Sequence, residues 1–137
     1  MAESFVVDNS VVMSWCFKDE AKYYSESILD RLTESTAYVP SIWPIEVVNV
    51  LLVAERKKII GRAEGVRFLE LLLQLPIRVE HETPAILMQS LYTLAEEHGL
   101  SSYDASYLDL AMKKGLPLAT QDKKLRKAAV KMNVPLL

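Results

Sequence analysis

Residues 101–122 read SSYDASYLDLAMKKGLPLATQD and predict a helix followed by a short buried strand. The helix is expected over residues 102–114, ended by Gly115, and LPLAT supplies the strand. Asp104 lies in the first turn of this helix, and Asp122 comes just after the strand. An acid at each end of a helix–strand unit indicates either helix capping or a metal site.

The alternation of strands and helices continues along the whole chain. Short apolar runs predict strands, and apolar residues three or four positions apart predict helices. Strands are expected at residues 4–7, 36–40, 77–80, 116–120 and 133–137, and helices at 21–34, 43–58, 62–75, 84–97, 102–114 and 123–131. This order predicts an α/β fold with a parallel sheet and helices on both of its faces.

Size and charge leave the class of protein open. The 137 residues favour one domain, 1–137, and the formal net charge of -2 does not indicate a nucleic-acid-binding protein. However, residues 113–137 carry seven basic side chains and one acid, against nine bases and seventeen acids in residues 1–112. This basic segment either attracts a phosphate backbone or is the solvated face of a surface helix.

The sequence shows no sign of export or membrane insertion. Its single cysteine, Cys16, rules out a disulfide within the chain and suits the reducing cytoplasm. The first residues, MAESFVVDNS, lack the features of a signal peptide. The most apolar stretch, IWPIEVVNVLLVA, is interrupted by Glu46 and Asn49 and is too short to span a bilayer. We therefore expect a cytoplasmic protein with no membrane partner.

Four acids are expected at one edge of the predicted sheet. Asp8 follows the first strand, Glu46 begins the helix after the second strand, and Asp122 follows the fourth strand. Asp104 begins a helix that should run antiparallel to the fourth strand, so it reaches the same edge. Ligands of open α/β sheets bind at this carboxyl edge. Capping remains an alternative for Asp8, Asp104 and Asp122 taken one at a time, and Glu46 could belong to a polar stripe of its helix.

The chemistry of this set favours a hard divalent cation. Carboxylates gathered together repel one another unless a cation neutralises them. Oxygen ligands suit Mg²⁺ or Mn²⁺, whereas zinc favours cysteine or histidine, and His81 and His98 lack ligand-like spacing. A bound divalent ion can activate water and hold a phosphate oxygen. The set therefore points to hydrolysis of a phosphodiester.

Four motifs resemble a known family. They are VVDNSVVMSW with Asp8, WPIEVVNVL with Glu46, SSYDASYLDLA with Asp104 and LATQDKKL with Asp122. In this order, and over essentially the whole chain, they resemble the PIN domain, and more narrowly the VapC ribonuclease toxins of type II toxin–antitoxin systems. The resemblance implies a three-layer α/β/α sandwich around a central, mostly parallel sheet of about five strands. It also implies an endoribonuclease that depends on Mg²⁺ or Mn²⁺.

The resemblance assigns roles to individual residues. The acidic quartet of the family falls on four residues, which are expected to act in catalysis and to bind the metal: Asp8, Glu46, Asp104 and Asp122. Ser10, Asn49 and Thr120 match polar positions expected to orient these carboxylates or a water molecule. Asp109 lies well round the helix from Asp104 and is expected to be structural or to support the site indirectly.

The resemblance also implies partners. Proteins of this family commonly form homodimers and are inhibited by a cognate antitoxin, whose C-terminal segment lies in an apolar groove. Candidates for this groove are Trp15, Phe17, Trp43, Leu51 and Leu52, although large apolar residues of this kind more often belong to the core. The substrate is expected to be RNA, and both transfer RNA and ribosomal RNA loops remain open.

Two other interpretations compete with this one. A receiver-like phosphoryl-transfer domain fits poorly, because Asp8 is followed by Asn9 rather than by a second acid, and the third strand leads into EHETP. A non-catalytic PIN-like module that only binds RNA or protein is the alternative, and the complete quartet argues against it. A GxGxxG dinucleotide motif, a Walker A loop and a nucleophile elbow are absent from the sequence.

Overall fold

The protein is described by a computed structural model that covers residues 3–17 and 22–137. Its strands are β1 (Phe5–Val7), β2 (Ala37–Pro40), β3 (Ile77–Glu80) and β4 (Leu118–Ala119). Its helices are α1 (Asn9–Ser14), α2 (Lys22–Arg31), α3 (Trp43–Arg56), α4 (Arg62–Gln74), α5 (Pro84–His98), α6 (Ser102–Lys114) and α7 (Lys123–Lys131). None of the helices in this part of the chain is long and apolar enough to cross a membrane.

The sheet has the order β3-β2-β1-β4, and every pair of neighbouring strands is parallel. Val6 is the centre of the sheet, because it pairs with Tyr38 of β2 on one side and with Leu118 of β4 on the other. Parallel strands need crossover connections, which are almost always right-handed. The chain adds β2 and β3 on one side of β1 and then returns to the other side of β1 to form β4. The predicted α/β/α architecture is confirmed.

The expected fifth strand is reduced to one isolated bridge. Leu136 pairs in parallel with Leu118, and two backbone hydrogen bonds from this segment join it to β4. Pro135 has no N–H group to donate, which limits how far a ladder can extend here. The sheet within the described residues therefore has four strands, with a short addition beside β4.

Helix α6 is the central helix of the molecule. It packs against β1 and β2 and also against α5 and α7. All seven residues from 105 to 111 are buried, including Tyr107 and Leu108, which are fully inaccessible to solvent. Helix α6 leads into β4 of the parallel sheet, so its N-terminus lies at the carboxyl edge of the sheet.

Two local differences from the sequence prediction have simple causes. Helix α1 was not expected, because it has only six residues and follows Asp8 so closely that the segment resembles a turn. The helix predicted over residues 21–34 is shorter and ends at Arg31, and residue 21 lies outside the described residues. After Arg31 the backbone continues as hydrogen-bonded turns up to Ser35.

The sharp end of α6 at Gly115 sets where β4 begins. Gly115 has a φ of 64°, a left-handed conformation in which a Cβ atom is strained, yet a Cβ built there has no neighbour within 4 Å. We expect Gly115→Ala to lower the free energy of unfolding by about 1 kcal/mol through this strain alone. Urea denaturation would measure it.

Gly65 provides the matched control. It lies within α4, and an added Cβ would come no closer than 3.8 Å to Ile60 Cδ1. Gly65→Ala should raise the free energy of unfolding by about 0.5–1 kcal/mol, since alanine favours the helix. If both variants changed the free energy of unfolding in the same direction, this account of the helix end would be wrong.

Candidate active site

Asp8 lies where β1 ends, beside the end of β4. Its backbone N–H donates to the carbonyl of Ala119 at 2.9 Å, which joins the two strand ends. The Oδ2 atom of Asp8 accepts hydrogen bonds from the hydroxyls of Ser10 at 2.7 Å and Thr120 at 2.8 Å. Asp8 occupies the N-cap position of α1, but its side chain makes no capping hydrogen bond. Capping therefore does not explain this carboxylate.

Burial makes Asp8 unusual for an acid. The residue is only 4% exposed. Burial raises the pKa of its carboxyl group, and the charge of Asp104 raises it further, while the hydrogen bonds from Ser10 and Thr120 oppose the rise. The adjacent Asn9 is also buried, and its Oδ1 atom has no hydrogen-bond partner among the described residues. A buried carboxylate held by two hydroxyls is costly to build for stability alone.

Asp122 does serve as a helix cap. Its Oδ1 atom accepts a hydrogen bond from the backbone N–H of Leu125 at 2.8 Å, at the start of α7. Its own backbone N–H donates to the hydroxyl of Thr120 at 3.1 Å. The same Thr120 hydroxyl donates to Asp8, so Thr120 forms hydrogen bonds with both Asp8 and Asp122. For Asp122 the capping explanation is correct, and within residues 3–17 and 22–137 no hydrogen bond reaches its second carboxylate oxygen, Oδ2.

Asp104 lies in the first turn of α6. The helix is capped by Ser101, whose hydroxyl accepts a hydrogen bond from the Asp104 N–H at 3.0 Å. Burial raises the pKa of the Asp104 carboxyl group, and the charge of Asp122 raises it further. Ser101 and the ammonium group of Lys124 oppose this rise. Asp104 and Asp122 are therefore electrostatic neighbours although they begin different helices.

Glu46 completes the group from the first turn of α3. Its Oε1 atom accepts a hydrogen bond of 2.6 Å from the hydroxyl of Tyr107. Burial raises the pKa of Glu46, the Tyr107 hydrogen bond lowers it, and the charges of Asp8 and Asp104 raise it again. The four predicted acids are thus linked by electrostatic interactions: Glu46 with Asp8 and Asp104, and Asp104 with Asp8 and Asp122.

The donor set fits a hard divalent cation in its chemistry. Among residues 3–17 and 22–137, no group of three or more Asp, Glu, His or Cys side chains is arranged so that it could hold a metal ion. The four acids nevertheless offer only carboxylate oxygens, and burial, with a smaller contribution from the neighbouring acids, raises the pKa of Asp8, Glu46 and Asp104 in the direction that a bound cation would reverse. Binding of such an ion by Asp8, Glu46, Asp104 and Asp122 stays a prediction.

The remaining predicted site residues divide into two groups. Ser10 and Thr120 contact Asp8 directly, as described above. Asn49 is exposed on α3 and lines a separate cavity with Phe17, so its role in the site stays a prediction. Asp109 is buried and forms an ion pair of 2.8 Å with Lys113, in a cluster that ties α6 to the end of β3.

The apolar residues considered for a groove also divide. Trp43 and Leu51 are buried in the core, and the indole N–H of Trp15 donates to the carbonyl of Ser25 at 2.8 Å. Phe17 lines a cavity of about 570 Å³ between the end of α1 and the C-terminal half of α3. Leu52 is 41% exposed and lies at a smaller cavity between α3 and α4. Phe17 and Leu52 each line a cavity, whereas Trp15 is half-buried and held by its hydrogen bond.

Sequence reasoning missed two tyrosines that support the site. Tyr107 donates to Glu46, and the hydroxyl of Tyr24 accepts from the Thr120 N–H at 3.1 Å while donating to the carbonyl of Leu137. Both side chains follow the apolar pattern of their helices, so the sequence shows them only as core residues. Their hydroxyl contacts join distant segments and leave no local signal.

Thr120 offers a test of how Asp8 is held, because it is fully buried and uses one hydroxyl twice. Thr120→Val keeps the shape but removes both hydrogen bonds, so we expect the free energy of unfolding to fall by about 2–4 kcal/mol. Thr120→Ser keeps the hydroxyl and loses one methyl group, so it should lower the free energy of unfolding by about 1 kcal/mol. Urea denaturation should rank parent, Ser and Val in that order, and equal losses would show that the hydroxyl does not support the site.

The chain matches known proteins along most of its length. The PIN domain family model matches residues 5–131. Ribonuclease VapC3 from Pyrobaculum aerophilum is 28% identical over 120 residues, which cover 88% of this chain and 90% of that protein. The crystal structure of PAE2754 from the same organism is 27% identical, with a TM-score of 0.69 and coverage of 93% of this chain and 87% of that one.

Two further solved structures share the fold at lower identity. VapBC2 from Rickettsia felis, bound to a DNA fragment from its promoter, has a TM-score of 0.68 and 16% identity over 98% of this chain and 97% of that one. VapC20 from Mycobacterium tuberculosis, a toxin that cleaves the sarcin–ricin loop, has a TM-score of 0.67 and 18% identity over 90% of this chain and 94% of that one. The resemblance seen in the sequence motifs is confirmed, and the chain belongs to the PIN domain family.

Proposed function

We propose that this chain is an endoribonuclease that depends on Mg²⁺ or Mn²⁺ and hydrolyses RNA phosphodiester bonds as the toxin of a type II toxin–antitoxin pair. The observation that carries the proposal is the placement of Asp8, Glu46, Asp104 and Asp122 at the starts of four helices on the carboxyl edge of the sheet. Membership of the PIN family and the likeness to a protein named as a ribonuclease support the same activity. We also propose that residues 1–137 act as a single PIN-like domain.

In this proposal the four acids hold the cation, and other residues hold the acids. When bound, the ion supplies positive charge to a phosphate oxygen and lowers the pKa of a water molecule. Ser10 and Thr120 fix Oδ2 of Asp8, so the orientation of this carboxylate is set before the substrate arrives. Half-buried Glu46 reaches solvent and is the acid suited to orient the attacking water and accept its proton.

The basic residues of α7 supply attraction for the RNA backbone. Lys124 follows Asp122 by two positions and influences Asp104 electrostatically. Lys123 and Lys127 are exposed nearby on the same helix, whereas Arg126 is engaged in a hydrogen bond with the Thr120 carbonyl. Exposed cations beside a phosphodiester-cleaving site favour approach of a polyanion.

The proposed protein partners are a cognate antitoxin and a second copy of the chain. Apolar side chains around the cavity near Phe17, including Val53 and exposed Ile59, suit the C-terminal segment of an antitoxin. A separate cavity, lined by exposed Ile45 together with Leu87 and Leu91, suits a homodimer contact. Structural likeness to a VapBC complex supports an antitoxin partner. We place the protein in the cytoplasm as part of the same proposal.

Asp104→Asn tests the site directly. The amide keeps the shape of the side chain but removes one negative charge, so we expect loss of RNA cleavage with an intact fold and no loss of stability without metal. Cleavage of a structured-RNA pool and thermal unfolding would be measured together. Cleavage by the variant at the parent rate would remove Asp104 from the mechanism, whereas absence of cleavage by the parent would favour a non-catalytic binding module.

Ser101→Ala is the control for the capping explanation. Ser101 is the residue whose hydroxyl caps α6, so its loss should lower the free energy of unfolding by about 1 kcal/mol. Cleavage by this variant should continue at temperatures well below its unfolding midpoint. If instead Asp104→Asn loses stability and Ser101→Ala loses cleavage, the roles of the two residues are reversed from this proposal.

Removal of metal should abolish cleavage and lower stability. With a chelator, we expect no cutting of RNA, and either Mg²⁺ or Mn²⁺ should restore it. Mn²⁺ at about 100 times its dissociation constant should stabilise the parent by about 2.7 kcal/mol, because the ion binds only the folded acids. Calorimetric titration and thermal unfolding would measure this, and Asp104→Asn should show a much smaller effect. Cleavage that survives the chelator would exclude a metal mechanism.

A further inference from the structure

The hydroxyl of Tyr107 connects the two helices that carry Glu46 and Asp104. Tyr107 is fully buried in α6 and donates a hydrogen bond of 2.6 Å to Oε1 of Glu46 in α3. It lies three residues after Asp104, so these two side chains project from neighbouring positions on one face of the helix. Helix α6 thus carries one acid, Asp104, and forms a hydrogen bond to another, Glu46.

The hydrogen bond between Tyr107 and Glu46 has a fixed donor and a fixed acceptor. The hydroxyl of Tyr107 can donate a hydrogen bond and the ionised carboxylate of Glu46 can only accept one, so Tyr107 is the donor in this contact. Glu46 is only half-buried and has three rotatable side-chain bonds, so without the phenol it could adopt several rotamers. Among the described residues, Oε1 accepts the Tyr107 hydrogen bond, and no hydrogen bond reaches Oε2.

We propose that Tyr107 is a positioning residue that fixes the Glu46 carboxylate through Oε1 and leaves Oε2 as the oxygen available to a divalent cation. The inference rests on the proposed function, since it concerns the ion that the four acids would hold. It assigns a role in metal binding to a residue that the sequence shows only as core. Hydrogen bonds that orient ligand side chains commonly change metal affinity by about 10- to 100-fold.

A purely structural role is the competing explanation. A buried phenol needs a hydrogen-bond partner, and Glu46 would satisfy that need with no consequence for the site. The two explanations differ in what Tyr107→Phe changes. Loss of a structural contact lowers stability alone, whereas loss of a positioning contact weakens metal binding even in protein that is fully folded.

The experiment compares the parent with Tyr107→Phe, Glu46→Gln, the double variant and Tyr92→Phe. Tyr92 lies on α5 and is 74% exposed, so its variant removes a hydroxyl far from any buried contact. Calorimetric titration with Mn²⁺ should show about 10- to 100-fold weaker binding for Tyr107→Phe and parent binding for Tyr92→Phe. The Mn²⁺ concentration that gives half-maximal RNA cleavage should rise for Tyr107→Phe by the same factor, while KM for RNA at saturating Mn²⁺ stays at the parent value.

The double variant identifies the route of the effect. If Tyr107 acts through Glu46, adding Tyr107→Phe to Glu46→Gln should change Mn²⁺ affinity no further. A full additional loss would overturn the inference, as would parent affinity for Tyr107→Phe, whether or not its thermal midpoint falls. A parent that binds no Mn²⁺ and cuts no RNA would instead overturn the proposed function, and the inference with it.

Discussion

Because β1 and β4 lie side by side, residues 112 positions apart in the chain meet at one edge of the sheet. The Asp8 N–H closes the pairing on the Ala119 carbonyl, and the next residue, Thr120, then reaches the Asp8 carboxylate. Every other feature of the acidic edge depends on this pairing. Without it, Asp122 and the start of α7 would have no fixed relation to Asp8, and Thr120 could not serve both acids.

The four acids also share a relation to helix ends. Asp8 and Asp122 precede α1 and α7, while Glu46 and Asp104 lie in the first turns of α3 and α6. The positive end of each helix dipole favours a nearby carboxylate by about 0.3–1 kcal/mol. Such contributions reduce the repulsion between the acids but do not remove it: burial raises the pKa values of Asp8, Glu46 and Asp104 most, and the neighbouring acids add to the rise. Capping and chemistry are therefore not exclusive: Asp122 caps α7 and still belongs to the group.

The order of elements and the edge that collects the acids could be predicted from the sequence, because apolar periodicity and connectivity are local properties. The bounds of α3, α4, α6 and α7 are close to those expected, since Pro44, Pro76 and Gly115 mark helix ends. Helix α1 was missed because a segment of six residues carries little periodicity. The reduction of the fifth strand to one bridge was missed because the extent of pairing depends on contacts with β4 that lie far away in the sequence. The contacts of Tyr107 and Tyr24 join segments far apart in the chain, so only the folded structure shows them.

The pairing of β1 with β4 determines when, during synthesis of the chain, the acidic edge can be completed. A ribosome adds about 5–20 residues per second, and domains fold as units once their elements are available. Residues up to Lys114 already contain three of the four acids, together with β1, β2 and β3. Their carboxylates stay incompletely arranged until β4 has been made and has inserted beside β1. A nascent chain therefore carries an unfinished acidic edge for most of its translation, and this long-range strand pairing is the step that completes the edge.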